Sequence, residues 1–238
     1  MPLWGTTMAS AEAAANPGLY RLLAWLSPGF PTGAFSYSHG LEAEAESGRV
    51  RDRATLQAWI GTVVARGSGR TDADILRDAH RAAGAADIAA LDAANCRGLA
   101  YRATAEFALE GTAQGAAFLA TCRAAWPDPL LDRWAAALDM VCLPAAVGAA
   151  TACAGIPLGS ASIGYLQAMA ANLVSAGLRL GCVGQTDGQR ILAALEPVVI
   201  EAAAAAMVRD PAEFGAATFA VDLASMAHET QYTRLFRS

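Results

Sequence analysis

No lysine occurs in the 238-residue chain; all 17 basic residues are arginines. That absence removes chemistry at once. A phosphate-binding P-loop requires its lysine, and Schiff-base or pyridoxal-phosphate catalysis requires a lysine amine. Charge is scarce too: 16% of residues are charged against 55% apolar, and the net charge is −5. Disordered chains have the reverse balance, and a general nucleic-acid or anionic-membrane binder would be basic. The five cysteines, Cys96, Cys122, Cys142, Cys153 and Cys182, form no CxxC pair. Neither a zinc ribbon nor a disulfide framework is therefore written in the sequence. Most of them stand among apolar neighbours and read as small buried hydrophobes. No basic segment followed by an apolar one opens the chain; with free thiols, this points to the reducing cytoplasm. Runs of alternating β-branched residues, Asn-Gly hairpins and internal repeats are also missing.

Alanine is what the chain has in quantity, roughly a quarter of all residues. It is the best helix former and fills little space, so the composition reads as closely packed helices. The expected fold is all-α: a single-domain bundle of about eight to ten helices over residues 16–230. A flexible N-terminal tail is expected over 1–15, and a partner-binding tail over 231–238. Asn16 and Pro17 mark a first helix start. The Pro/Gly stretch from Ser27 to Gly33 must be loop, and helix is expected again from Ser36 to Glu46. Gly48 fits a helix C-terminus, and Asp52 caps the next helix. A half-exposed helix pair is expected over 70–97 and a long helix near 99–124. Residues 140–178 hold no charge. A membrane span would fit a hydropathy window, but Pro144, Gly155, Pro157 and Gly159 interrupt it. Two buried helices, 130–152 and 160–180, are the better reading. Thr186 and Gln189 have capping-box spacing, and a last helix is expected over 211–229.

Candidate chemistry is thin. Ser36-Tyr37-Ser38-His39-Gly40 is one residue from a nucleophile elbow, but that motif needs a preceding strand and a glycine at its first position. His39 and Glu42, spaced i, i+3, would share a helical face and offer two metal ligands. With three histidines in all, His39, His80 and His228, the repeated Glu-x-x-His pattern of a carboxylate-bridged bundle is missing. Asp72 and Asp74 read as solvated surface. Neither a catalytic residue set nor a cofactor site emerges. Polar residues in apolar context stand out instead. Asn172, Ser175 and Arg179 recur at helical spacing on an otherwise uncharged helix, so Arg179 is either paired inside or presented at an interface. Tyr232, Arg234, Leu235, Phe236, Arg237 and Ser238 end the chain with aromatic and arginine residues suited to docking.

Three blocks of sequence resemble the urease accessory protein UreF family. The first runs from Ser27 to Glu42 and includes Phe30, Pro31, Gly33, Phe35, Ser36, Tyr37, Ser38, His39, Gly40, Leu41 and Glu42. The second runs from Asn172 to Leu180 and continues with Gly184, Gln185, Thr186 and on to Arg190. The third runs from Met226 to Tyr232 and from Arg234 to Ser238. They are ordered and spaced as in that family and span nearly the whole chain. One departure is Gly181-Cys182-Val183, where the family usually has Val-Pro-Leu; losing the proline makes the turn less rigid. The Ala-rich leader is not part of the pattern.

The resemblance implies a non-enzymatic, dimeric, all-α chaperone. It would bridge UreD (also called UreH) and the GTPase UreG, modulate that GTPase, and serve nickel insertion into apo-urease. It implies that the C-terminal tail docks on UreD and that the surface near the second block, Arg179 above all, recruits UreG. The competing reading is a ligand- or metal-binding helical enzyme built on His39 and Glu42. A perturbed buried carboxylate beside His39 in a pocket would favour the enzyme; an exposed apolar patch and a mobile tail would favour the adaptor.

Overall fold

Pro17 opens the first described helix, at the position where a missing N–H costs nothing. The computed structural model describes residues 17–238; the expected 1–15 tail and the cap at Asn16 lie outside the described residues. Eleven α-helices and two single 3₁₀ turns follow, with no strand among the described residues. The α-helices are α1 Pro17–Trp25, α2 Leu41–Glu46, α3 Arg53–Arg66, α4 Ser68–Gly84, α5 Ile88–Ala100 and α6 Ala105–Ala125, then α7 Pro129–Ala135, α8 Leu143–Cys153, α9 Leu158–Arg179, α10 Gln185–Val208 and α11 Phe219–Glu229. The all-α expectation holds.

Helix α4 is the central rod, packed against α8, α5, α10, α3 and α9. Its approach to α8 depends on Gly148: a Cβ there would lie 2.5 Å from the Leu76 carbonyl oxygen and 3.1 Å from the His80 nitrogen. Around this axis runs one continuous apolar core, including Leu56, Ile60, Leu76, Phe118, Trp134, Leu166 and Ile191. The buried cysteines behave as core hydrophobes: burial pushes Cys142 up to about 11 and Cys122 up to about 12, while Cys96 is exposed.

Helix ends follow local chemistry. Asp52 accepts the Thr55 N–H, and the Thr55 hydroxyl takes the Asp52 N–H in return. Asp128 caps α7, with Pro129 at its first position. Past α2, Gly48 is left-handed at φ 73°; its N–H bonds the Ala45 carbonyl and that of Arg49 bonds Glu44, a Schellman closure.

Several boundaries differ from the sequence expectation. Tyr37 through Gly40 is not helix: His39 and Gly40 both have positive φ, 57° and 77°, so α2 begins at Leu41. The long helix near 99–124 is preceded by a break at 101–104, and Thr104 caps α6. The expected helix 130–152 is two, α7 and α8, separated by residues 136–142. Gly184, not Thr186, occupies the N-cap of α10, so the capping box at Thr186 does not form. A 3₁₀ turn, Pro211–Glu213, and an irregular stretch precede α11. Asp72 and Asp74 are buried rather than solvated. Arg102 faces Asp72 at 2.9 Å, and Arg209 faces Asp74 at 2.6 Å. The uncharged 140–178 stretch divides into α8 and α9. By length and composition, the one described helix apolar enough to cross a membrane is Gln185–Val208, which packs here on α9, α3 and α4.

Candidate partner-binding site

The positive φ of His39 and Gly40 turns the chain sharply just before α2, and this turn decides where the first block points. A Cβ at Gly40 would meet the Ser225 nitrogen at 3.0 Å, so the backbones of this turn and α11 sit in direct contact. The turn sends His39 and Glu42 to different partners. His39 stacks on Phe107 at 3.9 Å between centroids, with Nδ1 3.1 Å from Glu110 and Nε2 2.8 Å from the Ser68 hydroxyl. Glu42 instead meets His228 at 2.9 Å. The metal pair that the i, i+3 spacing of His39 and Glu42 would offer is therefore not brought together, because His39 precedes the helix rather than lying on it. No cluster of three or more His, Cys, Asp or Glu suited to a metal occurs among the described residues.

His228 is fully buried between two carboxylates. Its Nε2 lies 2.9 Å from Glu42 and its Nδ1 2.9 Å from Glu106. Glu106 also faces Arg234 at 3.3 Å. Glu42 does more than pair with His228. Its two oxygens accept the backbone N–H groups of Leu235, at 2.6 Å, and Phe236, at 2.9 Å. A carboxylate of the first block thus grips the backbone of the third.

The last residues continue along the first block. The Arg237 N–H donates to the Ser36 carbonyl at 2.8 Å, and the Ser38 N–H donates to the Ser238 carbonyl at 2.8 Å. The Ser38 hydroxyl donates to the same carbonyl and also accepts the Glu42 N–H. The Ser238 hydroxyl donates to Glu110 at 3.0 Å. Burial works to raise the Glu110 pKa, but the charge and hydrogen bond of His39, the Ser238 hydroxyl and Arg102 outweigh it; the carboxyl is held below its ordinary range.

The second block closes the arrangement. Asn172 donates to the Tyr37 carbonyl at 3.3 Å. Arg179 donates to the Phe35 carbonyl at 2.6 Å and to that of Ser175 at 3.3 Å. Its guanidinium carbon lies over two rings, 3.6 Å from the Phe35 centroid and 4.2 Å from that of Phe236. The Arg179 carbonyl partners mean that the charge is neither paired with a carboxylate nor freely presented. The Gly181-Cys182-Val183 departure leaves a well-formed turn: Gly181 is left-handed at φ 75°, and the Gly181 and Cys182 N–H groups bond the Leu178 and Gly177 carbonyls.

Of the residues singled out from sequence, Asn172, Arg179, Phe35, Ser36, Tyr37, Ser38, Glu42, Phe236, Arg237 and Ser238 come together. Ser175 contributes its carbonyl there. Leu41 is a core residue of α2. Phe30 packs on Phe118 at 5.2 Å between centroids and, with Pro31 and Gly33, lines a cavity of about 500 Å³. Gly184, Gln185 and Thr186 stand exposed at the start of α10 and make no hydrogen bond to the first or third block. The tail is neither loose nor helical: Phe236 and Ser238 are buried, while Tyr232 and Leu235 face solvent. Sequence reading missed Glu106 and Glu110. With Gln114 they recur every four residues on α6, one polar face on a mostly apolar helix.

The two discriminating observations fall on both sides. A perturbed buried carboxylate does sit beside His39 on the cavity wall, but Glu110 is shifted toward ionisation, as befits an ion-pair partner rather than a poised base. An exposed apolar stripe, Phe219, Leu223 and Met226, runs along α11 at i, i+4, i+7.

Fold and site together define an all-helical protein that holds a loop, a helix end and its own C-terminal segment in one surface. Comparison with known proteins carries this further. The UreF family model matches residues 50–196. A urease accessory protein UreF of Rhodopseudomonas palustris (strain BisB18) is 48% identical over 231 residues, covering 97% of this chain and 96% of that protein. The UreF proteins of Bradyrhizobium sp. (strain ORS 278) and Azorhizobium caulinodans are 47% and 46% identical, each over at least 97% of both chains. The chain belongs to the UreF family of urease accessory proteins, and its role is that of a urease maturation chaperone.

Proposed function

We propose that the chain is the adaptor that joins UreD/UreH to the GTPase UreG, modulates that GTPase, and so supports nickel insertion into apo-urease. The observation that carries this reading is the convergence of the first block, the Asn172–Arg179 end of α9 and the 235–238 segment around Arg179 and Glu42. Exposed Tyr232 and Leu235 offer apolar contact, flanked by Arg234 and Arg237, a composition typical of interface anchors. The chain works as a two-fold homodimer in the cytoplasm, away from membrane and nucleic acid, and carries out no catalysis and holds no cofactor of its own. Absence of lysine supports the last point for nucleotide chemistry, which the partner must supply. Exposed Phe219, Leu223 and Met226 on α11 are consistent with burial against another chain.

Co-purification of the full chain with UreD and UreG tests the reading. Retention of both is expected, with UreG weakened by Arg179→Ala in a protein of unchanged helicity. Failure to retain either partner would overturn it. Light scattering that finds a 24.5 kDa species in place of twice that mass would overturn the homodimer.

A further inference from the structure

The cavity of about 500 Å³ is lined by the Ser27–Phe35 loop and by residues of α6 and α9, and it falls within the size range of small-molecule sites. Protein interiors leave few voids larger than a water molecule, so a space this large calls for an occupant. Its wall has an aromatic part. Trp25 and Phe30 both pack on Phe118, with ring centroids 6.2 Å and 5.2 Å apart. Its wall also has a charged part, formed by Asp72, Arg102 and Glu110 with His39 and Gln114. The donors there are already committed. Arg102 gives Nε to the Gly98 carbonyl at 3.0 Å and turns NH2 toward Asp72 at 2.9 Å. His39 is held between Ser68 and Glu110.

The carboxylates keep acceptor capacity. Asp72 is 4% exposed. Its Oδ2 accepts the Tyr165 hydroxyl at 2.7 Å, but its Oδ1 makes no hydrogen bond although it faces Arg102. Oε1 of Glu110 accepts the Gln114 amide at 3.2 Å, where a carboxylate oxygen has room for two donors. That carboxyl is also held below its ordinary range, so it stays charged. Two carboxylates therefore share one guanidinium beside an aromatic wall. We propose that this cavity is a binding site for an organic ammonium ion, a protonated amine carried on an apolar body. The ammonium donates to Glu110 and Asp72, and the body packs on Trp25, Phe30 and Phe118, whose ring faces attract positive charge. A neutral apolar molecule would leave the acceptors unpaired, and an anion would meet two like charges. The ligand is held and not transformed, so the site goes beyond the adaptor reading and does not depend on it.

Calorimetric titration of the full chain tests this with probes that share an indole body: cationic tryptamine, neutral 3-ethylindole and anionic indole-3-acetate. Tryptamine should bind at a single site, about tenfold tighter than either of the others, the scale of one charge-assisted hydrogen bond. Glu110→Gln keeps the shape and removes the charge, and should lose about the same tenfold. Ala168 lines the cavity from α9, so Ala168→Trp should fill it and abolish binding in a protein of unchanged helicity. Equal affinity for the three probes, or no binding of tryptamine, overturns the proposal. So does tryptamine binding that survives Ala168→Trp in a folded protein, because the site would then lie elsewhere. Should either variant fail to fold, the comparison of the three probes on the wild-type chain decides alone.

Discussion

Nε2 of His228 lies 2.9 Å from the Glu42 carboxylate, joining residues 186 positions apart. The same carboxylate holds the Leu235 and Phe236 N–H groups, so α2, α11 and the tail share one anion. Glu42→Gln should cost about 3 kcal/mol, the range for removing one partner of a buried pair. A urea denaturation midpoint measures it. Carboxypeptidase should also trim the variant faster than wild type, because an amide offers one acceptor oxygen where the carboxylate offers two.

Acid should loosen the tail through Glu110. Its folded pKa lies below the ordinary 4.5. Its contribution is therefore present in full above that value and is lost as pH falls through the depressed folded pKa. Wild type should exceed Glu110→Gln in stability at about pH 6, and the difference should shrink steadily below about pH 4.5. Melting curves across this range would show a constant difference if Glu110 were not ionised in the fold.

Gly148 sets the spacing of α4 and α8. Because an added Cβ would meet backbone atoms of Leu76 and His80, Gly148→Ala should destabilise by about 1–3 kcal/mol, the usual cost of overpacking. Thermal unfolding checks this, with Gly84→Ala as the reference, since nothing lies within 4 Å of that position.

What could be read from sequence was local. Gly48 as a helix terminator, Asp52 as a cap and the Ser27–Gly33 loop follow from backbone sterics and short-range hydrogen bonds. Asp72 and Asp74 read as surface because the arginines that face them most closely, Arg102 and Arg209, are 30 and 135 residues away; only Arg77, 3.6 Å from Asp74, lies within helical spacing, and that pairing alone does not tell a buried face from a solvated one. The 130–152 stretch reads as one helix because alanine-rich sequence continues through residues 135–137 without a Gly or Pro to mark the break. The site was half visible. Arg179 and the tail stood out as polar or aromatic residues in the wrong context. Their contact was hidden, since helical spacing within the tail suggested a helix that does not form. The tail's hold on the body also changes the meaning of a truncation: removing 231–238 would uncover buried Glu42 and His228 and lower stability as well as binding.

Substituting the two outward tail residues avoids that confusion. Tyr232 and Leu235 are exposed, and their side chains hold nothing in the fold, so Tyr232→Ala/Leu235→Ala should leave the melting temperature unchanged. The most direct measurement is capture of UreD by this full-length double variant, read beside its melting curve. Loss of UreD with an unaltered melting temperature is expected; UreD retained at the wild-type level by a stably folded variant would contradict the adaptor role of the tail.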